Sequence, residues 1–196
     1  HGESLADSAL ELLDRTELRV VAMQQMLDDL LDYARAGHAP DQPQTLELRD
    51  WLSGLCGEFA DDSPIAVKVT ATAGSIETDR ALLGTCVRNL VDNAIKHHPG
   101  PAGTVEVTAQ RAGDSLVVTV ADDGDGIPVE EQDRVFRPFQ RLGTKGSGIG
   151  LATVQKIVAD RDGSVELDST PGEGAAFTIV WPLASAHRRA AAASLH

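Results

Sequence analysis

Asn89, Asn93 and Lys96 stand four and three residues apart in the segment Asn89-Leu-Val-Asp-Asn93-Ala-Ile-Lys96-His97. Wound into a helix, they share one face. Leu83, Val87, Leu90 and Ala94 fall on the opposite face, which can pack on a sheet. The polar face thus offers amide oxygens and an ammonium together. An amide carbonyl can ligate Mg²⁺ without adding charge to a site already full of phosphate. Taken alone, the same face is equally well a solvated helix surface.

A second cluster is Val120-Ala-Asp122-Asp123-Gly124-Asp125-Gly126-Ile127-Pro128. A carboxylate leaves the end of an apolar run, and two glycines follow. Glycine lets backbone approach a flat ligand closely. A carboxylate accepts hydrogen bonds, which suits an exocyclic amine such as that of adenine. A plain acidic turn explains the same residues, and a calcium loop of EF-hand spacing does not. The third cluster, Gly146-Ser147-Gly148-Ile149-Gly150-Leu151, opens a helix. Backbone N–H groups at a helix start bind phosphate, and glycine removes the side chains that would block it. Its spacing matches neither a Walker loop nor a dinucleotide fingerprint.

The elements that must position these clusters follow from periodicity. Leu5, Ala9, Leu12, Val20, Met23, Leu27, Leu30 and Ala34 form a heptad stripe, interrupted at Thr16, on one long helix ended by Gly37 and Pro40. Residues 1–36 are therefore one unit, 37–44 a polar linker, 45–183 a domain and 184–196 a disordered tail. In the domain, Thr45–Leu48, Ile65–Thr70, Ser75–Glu77, Val105–Ala109, Leu116–Ala121, Val165–Leu167 and Phe177–Trp181 read as strands. Arg49–Phe59, a segment from Asp79 as N-cap to His97, and Ser147–Asp160 closed by Gly163 read as helices. Strands and helices do not alternate regularly, so an α+β sandwich with a mixed or antiparallel sheet is expected.

Composition narrows the classes. Of 196 residues, 42% are hydrophobic, enough for a core, and the net charge is −13. Such a surface repels nucleic acid and anionic membrane, so neither is an expected partner. Cys56 and Cys86 are too few for a disulfide framework and are expected reduced and buried. No apolar run is long enough for a bilayer, and a cytoplasmic location is expected, with the full-length protein open to membrane anchoring.

The three clusters in this order resemble the GHKL ATPase superfamily, and within it the catalytic domain of sensor histidine kinases. The resemblance runs from about Thr45 to Pro182. Asn89–His97 is similar to the family's N box and Asp122–Ile127 to its first glycine box. Arg134-Val-Phe136-Arg-Pro-Phe139-Gln-Arg141 is similar to its F box, and Gly146–Leu151 to its second glycine box. Upstream, Met26-Leu-Asp-Asp-Leu-Leu-Asp-Tyr33-Ala-Arg35 is similar to the end of the second helix of the kinase dimerisation domain.

The resemblance implies a two-layer α/β sandwich of Bergerat type, preceded by a long amphipathic helix. It implies that Asp122 binds the adenine amino group, with Gly124, Gly126 and Ile127 shaping the base pocket. It implies Mg²⁺ on Asn93, with Asn89, Lys96 and His97 near phosphate or ribose. Arg141 and Lys145 would reach the phosphates, and the amides from Gly146 through Ser147, Gly148, Ile149, Gly150 and Leu151 would face the triphosphate. Phe136 and Phe139 would anchor the lid. Two departures stand out: the segment between Phe139 and Gly146 is short, and Ala175 replaces a threonine, leaving Thr178 as a weak substitute. No histidine fits the family's phosphoacceptor pattern, so this chain is not expected to phosphorylate itself.

The implied activity is transfer of the ATP γ-phosphoryl to a histidine, for relay to a response-regulator aspartate, with self-association through the N-terminal helix. The alternatives are a non-catalytic ATP-gated interaction module and a GHKL hydrolase. The hydrolase is disfavoured because Asn89 stands where those enzymes carry a glutamate base.

Overall fold

The structure, a computed structural model, describes residues 43–59, 64–72, 74–140 and 147–183, with isolated positions between 10 and 34. Arg141, Lys145, Gly146, most of the expected linker and the expected tail lie outside the described residues.

The chain runs β1 (Pro43–Glu47), α1 (Leu48–Gly57), β2 (Ile65–Ala71), β3 (Ser75–Asp79), α2 (Arg80–His97), β4 (Gly103–Ala112), β5 (Ser115–Asp122), α3 (Val129–Gln132), α4 (Gly150–Ala159), β6 (Ser164–Thr170) and β7 (Gly174–Pro182). Five strands form one sheet in the order β2-β4-β5-β7-β6; β1 and β3 form a small antiparallel pair. β2 and β4 are parallel, and the remaining neighbours in the large sheet are antiparallel. This is the mixed α+β sandwich expected from the sequence.

Strand periodicity of two sets the layers. Val105 and Val107 of β4, Val118 and Val120 of β5, and Phe177 and Ile179 of β7 are buried on one face. Leu83, Val87 and Leu90 of α2 are fully buried, and Ala94 nearly so, in the same core. Each such leucine contributes about 2 kcal/mol on leaving water. The apolar stripe of α2 therefore fixes which way its polar face points.

Asp79 caps α2 as expected: its Oδ1 accepts the Leu82 N–H at 3.0 Å. Its Oδ2 also accepts from Arg161 at 3.1 Å, a pair almost wholly buried. That pair holds the start of α2 to the end of α4. Next to it, Trp181 Nε1–H donates to Thr78 Oγ1 at 2.8 Å, so the buried indole keeps a polar partner.

Several boundaries differ from expectation, and three of them have a plain local cause. β1 begins at Pro43, two residues inside the expected linker, because pairing with β3 runs from Pro43 opposite Asp79 to Glu47 opposite Ser75. α4 begins at Gly150 rather than Ser147, since Gly148 has φ +73, a left-handed conformation that cannot continue a helix. Beyond its last residue, Ala159, the chain turns at Asp162 in the left-handed region, φ 57, and Gly163 then donates its N–H to Val158 O at 2.9 Å. Asp162, not Gly163, is the residue that turns the chain.

The described positions between 10 and 34 are helical, and Leu12, Val20, Met23, Leu27 and Leu30 are exposed. Tyr33 contacts the domain: Lys156 Nζ donates to its carbonyl oxygen at 3.0 Å and lies 4.7 Å from its ring centre. Both cysteines are free and buried.

Candidate functional site

α2, the loop after β5, the start of α4 and the start of β7 enclose a cavity of about 290 Å³. It collects residues far apart in sequence: Asn89, Asn93, Lys96 and His97 from α2, Asp122, Gly126 and Ile127 from the β5 loop, and Ser147, Gly148, Gly150 and Leu151 from around the start of α4. The three clusters thus meet in one place.

The β5 loop is held by a dense set of backbone contacts. Asp122 accepts from the Gly124 N–H at 3.0 Å and from the Ala175 backbone. Burial nevertheless pushes its carboxyl above the ordinary aspartate range, against the pull of those amides and of His98. Gly126 has φ +67, and a β-carbon there would stand 2.3 Å from Thr170 O. Ile127 N–H donates to Ser169 Oγ at 2.8 Å, and Ser169 Oγ–H donates to Gly174 O at 2.8 Å. Gly174 has φ +95, and its β-carbon would overlap Asp122 O at 2.0 Å. The β6–β7 turn is therefore the wall on which the Asp122 loop rests.

On α2, Asn89 Nδ2–H donates to Thr85 O at 2.9 Å, which leaves Oδ1 aimed at the start of α4. A β-carbon on Gly150 would stand 2.7 Å from that Oδ1. Only glycine lets the helix start come this close. Lys96 Nζ is paired with Asp92 Oδ2 at 2.6 Å, both half exposed. The ammonium is thereby held along the helix, at the mouth of the cavity.

The segment 141–146 joins two ends that are pinned together. Phe139 N–H donates to Gly148 O at 2.8 Å, and a β-carbon on Gly148 would stand 2.5 Å from Gln140 O. Phe136 packs edge-on against Phe177, with centroids 6.1 Å apart. Phe139 does not anchor in the core as expected: it is 57% exposed, with φ 64. Its backbone carries the contact instead of its ring.

Three expected residues do not line the cavity. Gly124 lies behind Asp122, and Ile149 is buried, its N–H donating to Ser147 Oγ at 3.2 Å. Thr178 is on the other face of the sheet, where its hydroxyl meets Thr119 Oγ1 at 3.0 Å, because Phe177 and Ile179 take the inward positions. Conversely, Asp92, Ala94, Asp125, Val135, Gln140 and Phe177 line the cavity without having been expected there, and so does Ala175, which the sequence had singled out. Asp92, Ala94, Asp125, Val135 and Gln140 lie inside the quoted motifs. Phe177 reaches it through packing that no local signal announces.

A mixed sheet with a helix layer, carrying a carboxylate at a strand end across from an Asn-rich helix face and a glycine-opened helix, defines a GHKL-type ATP-binding domain. Residues 78–185, more than half of the chain, match the family described as histidine kinase-, DNA gyrase B-, and HSP90-like ATPase, and the chain belongs to that family. Sensor histidine kinase ZraS of Salmonella typhimurium is 32% identical over 167 residues, covering 82% of this chain and 35% of its own length. The solved mycobacterial sensor histidine kinase MprB superposes with a TM-score of 0.63 at 29% identity, covering 72% of this chain and 98% of that one. Full-length ShkA, solved in complex with AMPPNP, gives a TM-score of 0.71 at 25% identity over 90% of this chain and 38% of its own. The chain spans about a third of the length of the curated relatives it matches, 31% and 35% for the first two. Among the described residues, no helix is long and apolar enough to cross a membrane.

Proposed function

We propose that this chain is the ATP-binding catalytic part of a sensor histidine kinase, passing the γ-phosphoryl of MgATP to a histidine for relay to a response-regulator aspartate. The observation that carries the reading is that Asp122 and the Asn89–Asn93–Lys96 face line one and the same cavity. Asp122 accepts from the adenine amino group. Gly126 and Ile127 shape the base pocket, and His97 lies towards the ribose and phosphates. The amides around Gly148 and Gly150 face the triphosphate; Arg141 is assigned the γ-phosphate contact and Lys145 a share in covering the phosphates.

The donor set fits Mg²⁺ held mainly by phosphate and water. Among the described residues, no group of three histidine, cysteine or acidic side chains could cage a metal ion. The Asn93 amide oxygen would hold the ion, as suits a cation that keeps several waters. When bound, Mg²⁺ neutralises charge on the phosphates. Positioning rather than covalent chemistry is then what the residues of the chain contribute. Hydrolysis is not favoured, since the Asn89 amide cannot take a proton from water.

Titration calorimetry with ATP and GTP, in Mg²⁺, tests the reading. The parent chain is expected to bind ATP and discriminate against GTP, whose carbonyl meets the Asp122 carboxylate. Asp122→Asn is expected to lose most of the affinity for ATP. Equal ATP affinity in the two proteins would sink the adenine assignment.

A further inference from the structure

One buried imidazole near the cavity has no part in the scheme above. His98 is the residue that ends α2, its N–H donating to Ile95 O at 3.3 Å. Its side chain is only 6% exposed. Nδ1 stands 3.2 Å from the Gly100 N and 3.4 Å from the Gly100 O, and Nε2 faces a carboxylate, which only accepts, so Nε2 is the donor of that contact. Nε2–H then donates to Asp123 Oδ1 at 2.9 Å.

The same Oδ1 accepts the Thr104 N–H at 2.8 Å, and Asp123 N–H returns to Thr104 O at 3.3 Å. The Thr104 amide and then the His98 ring hold the Asp123 carboxyl below the ordinary range, so it is ionised and a strong acceptor. The ring lies in a slot that glycines leave open. A β-carbon on Gly103 would stand 2.1 Å from His98 Nε2, and one on Gly124 would stand 3.7 Å from His98 Cδ2 and 2.8 Å from Asp122 Oδ1. His98 therefore belongs to the helix that carries Asn89, Asn93 and Lys96, and grips the residue next to Asp122.

We propose that His98 and Asp123 are a positioning pair, which sets where the Asp122 carboxylate stands relative to the polar face of α2 and thereby sharpens recognition of the adenine amino group. The pair touches no nucleotide. It acts through the backbone between Asp122 and Asp123, and it joins the base side of the cavity to the phosphate side. The inference rests on the adenine assignment of Asp122 made above.

The test compares ATP with purine riboside triphosphate, which lacks the amino group, by competition against a fluorescent nucleotide in Mg²⁺. The ratio of the two affinities reads the amino-group hydrogen bond alone. Partial unfolding lowers both affinities equally and leaves the ratio unchanged. His98→Ala is expected to cut the ratio roughly five- to tenfold, the scale of one lost buried hydrogen bond. His98→Gln, which keeps a donor of similar reach, is expected to restore most of it. Asp123→Ala, at a side chain 58% exposed, folds without leaving a hole and is expected to cut the ratio as His98→Ala does. Parent-like ratios in His98→Ala or in Asp123→Ala overturn the pairing. Asp122→Asn separates the two failures: if it too leaves the ratio unchanged, the adenine assignment falls first.

Discussion

Asn89 Oδ1 occupies the space that a β-carbon at Gly150 would need; one built there would stand 2.7 Å from the oxygen. The helix of the first motif and the helix of the third are thus joined at the cavity itself. The Asn89 amide cannot swing away without giving up its bond to Thr85 O at 2.9 Å. Gly150→Ala sets two effects against each other. Alanine is the better helix former by about 1 kcal/mol. Displacing a bonded amide costs more, so the thermal midpoint is expected to fall. ATP affinity is expected to fall roughly tenfold, about 1.4 kcal/mol. Calorimetry and a melting curve on the same sample check both, and a rise in midpoint with full binding would refute the contact.

Gly174 and Gly172 both have positive φ, +95 and +86, but differ in space. A β-carbon at 174 meets the Asp122 carbonyl oxygen at 2.0 Å, and one at 172 meets nothing within 4 Å. Gly172→Ala is therefore expected to cost only the left-handed penalty, about 1 kcal/mol. Gly174→Ala adds a backbone clash and is expected to cost roughly 3 kcal/mol or more. Urea unfolding of both variants gives the comparison; equal costs would mean that the turn yields freely.

Asp122 and Asp123 are neighbours whose carboxyls are shifted in opposite directions. For Asp122 the folded value is raised, so its ionised form is disfavoured in the fold. Its contribution to stability is fully present below the unfolded value and is lost as pH rises through the raised folded one. Asp123 is the reverse: its contribution is present above the unfolded value and is lost as pH falls through the lowered folded one. Nucleotide binding needs Asp122 ionised. Affinity for ATP is expected to fall on acidification from a pH above the ordinary aspartate range, and Asp122→Asn is expected to flatten that limb. A pH series of binding constants in both proteins decides it.

Burial pushes the Cys56 thiol up to about 11, with Glu58 adding to the rise, and pushes Cys86 up further still. Thiolate is the reactive form. Both cysteines are expected to resist alkylation in the folded chain at neutral pH and to react after denaturation. A thiol titration with and without guanidinium measures this; rapid reaction of either in the native chain would show an open core.

The exposed stripe on the N-terminal helix is expected to drive association between copies. Leu27 and Leu30 are 59% and 42% exposed, so the domain does not cover them. Burying several leucines at about 2 kcal/mol each supports a dimer. Light scattering is expected to show a dimer for the parent chain and a monomer for the Leu27→Glu, Leu30→Glu double variant. Monomers in both would remove this surface as the seam.

Where local chemistry decides structure, the sequence was legible. The Asn89–Asn93–Lys96 spacing placed three groups on one helix face, and Asp79 announced its own cap. The Thr178 expectation failed because face assignment depends on strand register: one position moves a side chain to the opposite layer. The contact of His98 with Asp123 was invisible for a similar reason. Its partner, 25 residues on, is brought close only by β4 and β5 pairing, and the slot for its ring exists only because Gly103 and Gly124 meet in space. Helix α4 began late because a left-handed glycine, not the first glycine of the motif, sets the boundary.

The bond between Phe139 and Gly148 has an entropic consequence. Because those two residues already meet, whatever chain joins them has its ends closed by the folded core. The cost of lengthening such a loop grows only logarithmically, about 0.6 kcal/mol for each doubling. The chain between Gln140 and Ser147 can therefore be lengthened or exchanged at a small entropic cost, while the core that holds its two ends stays as it is.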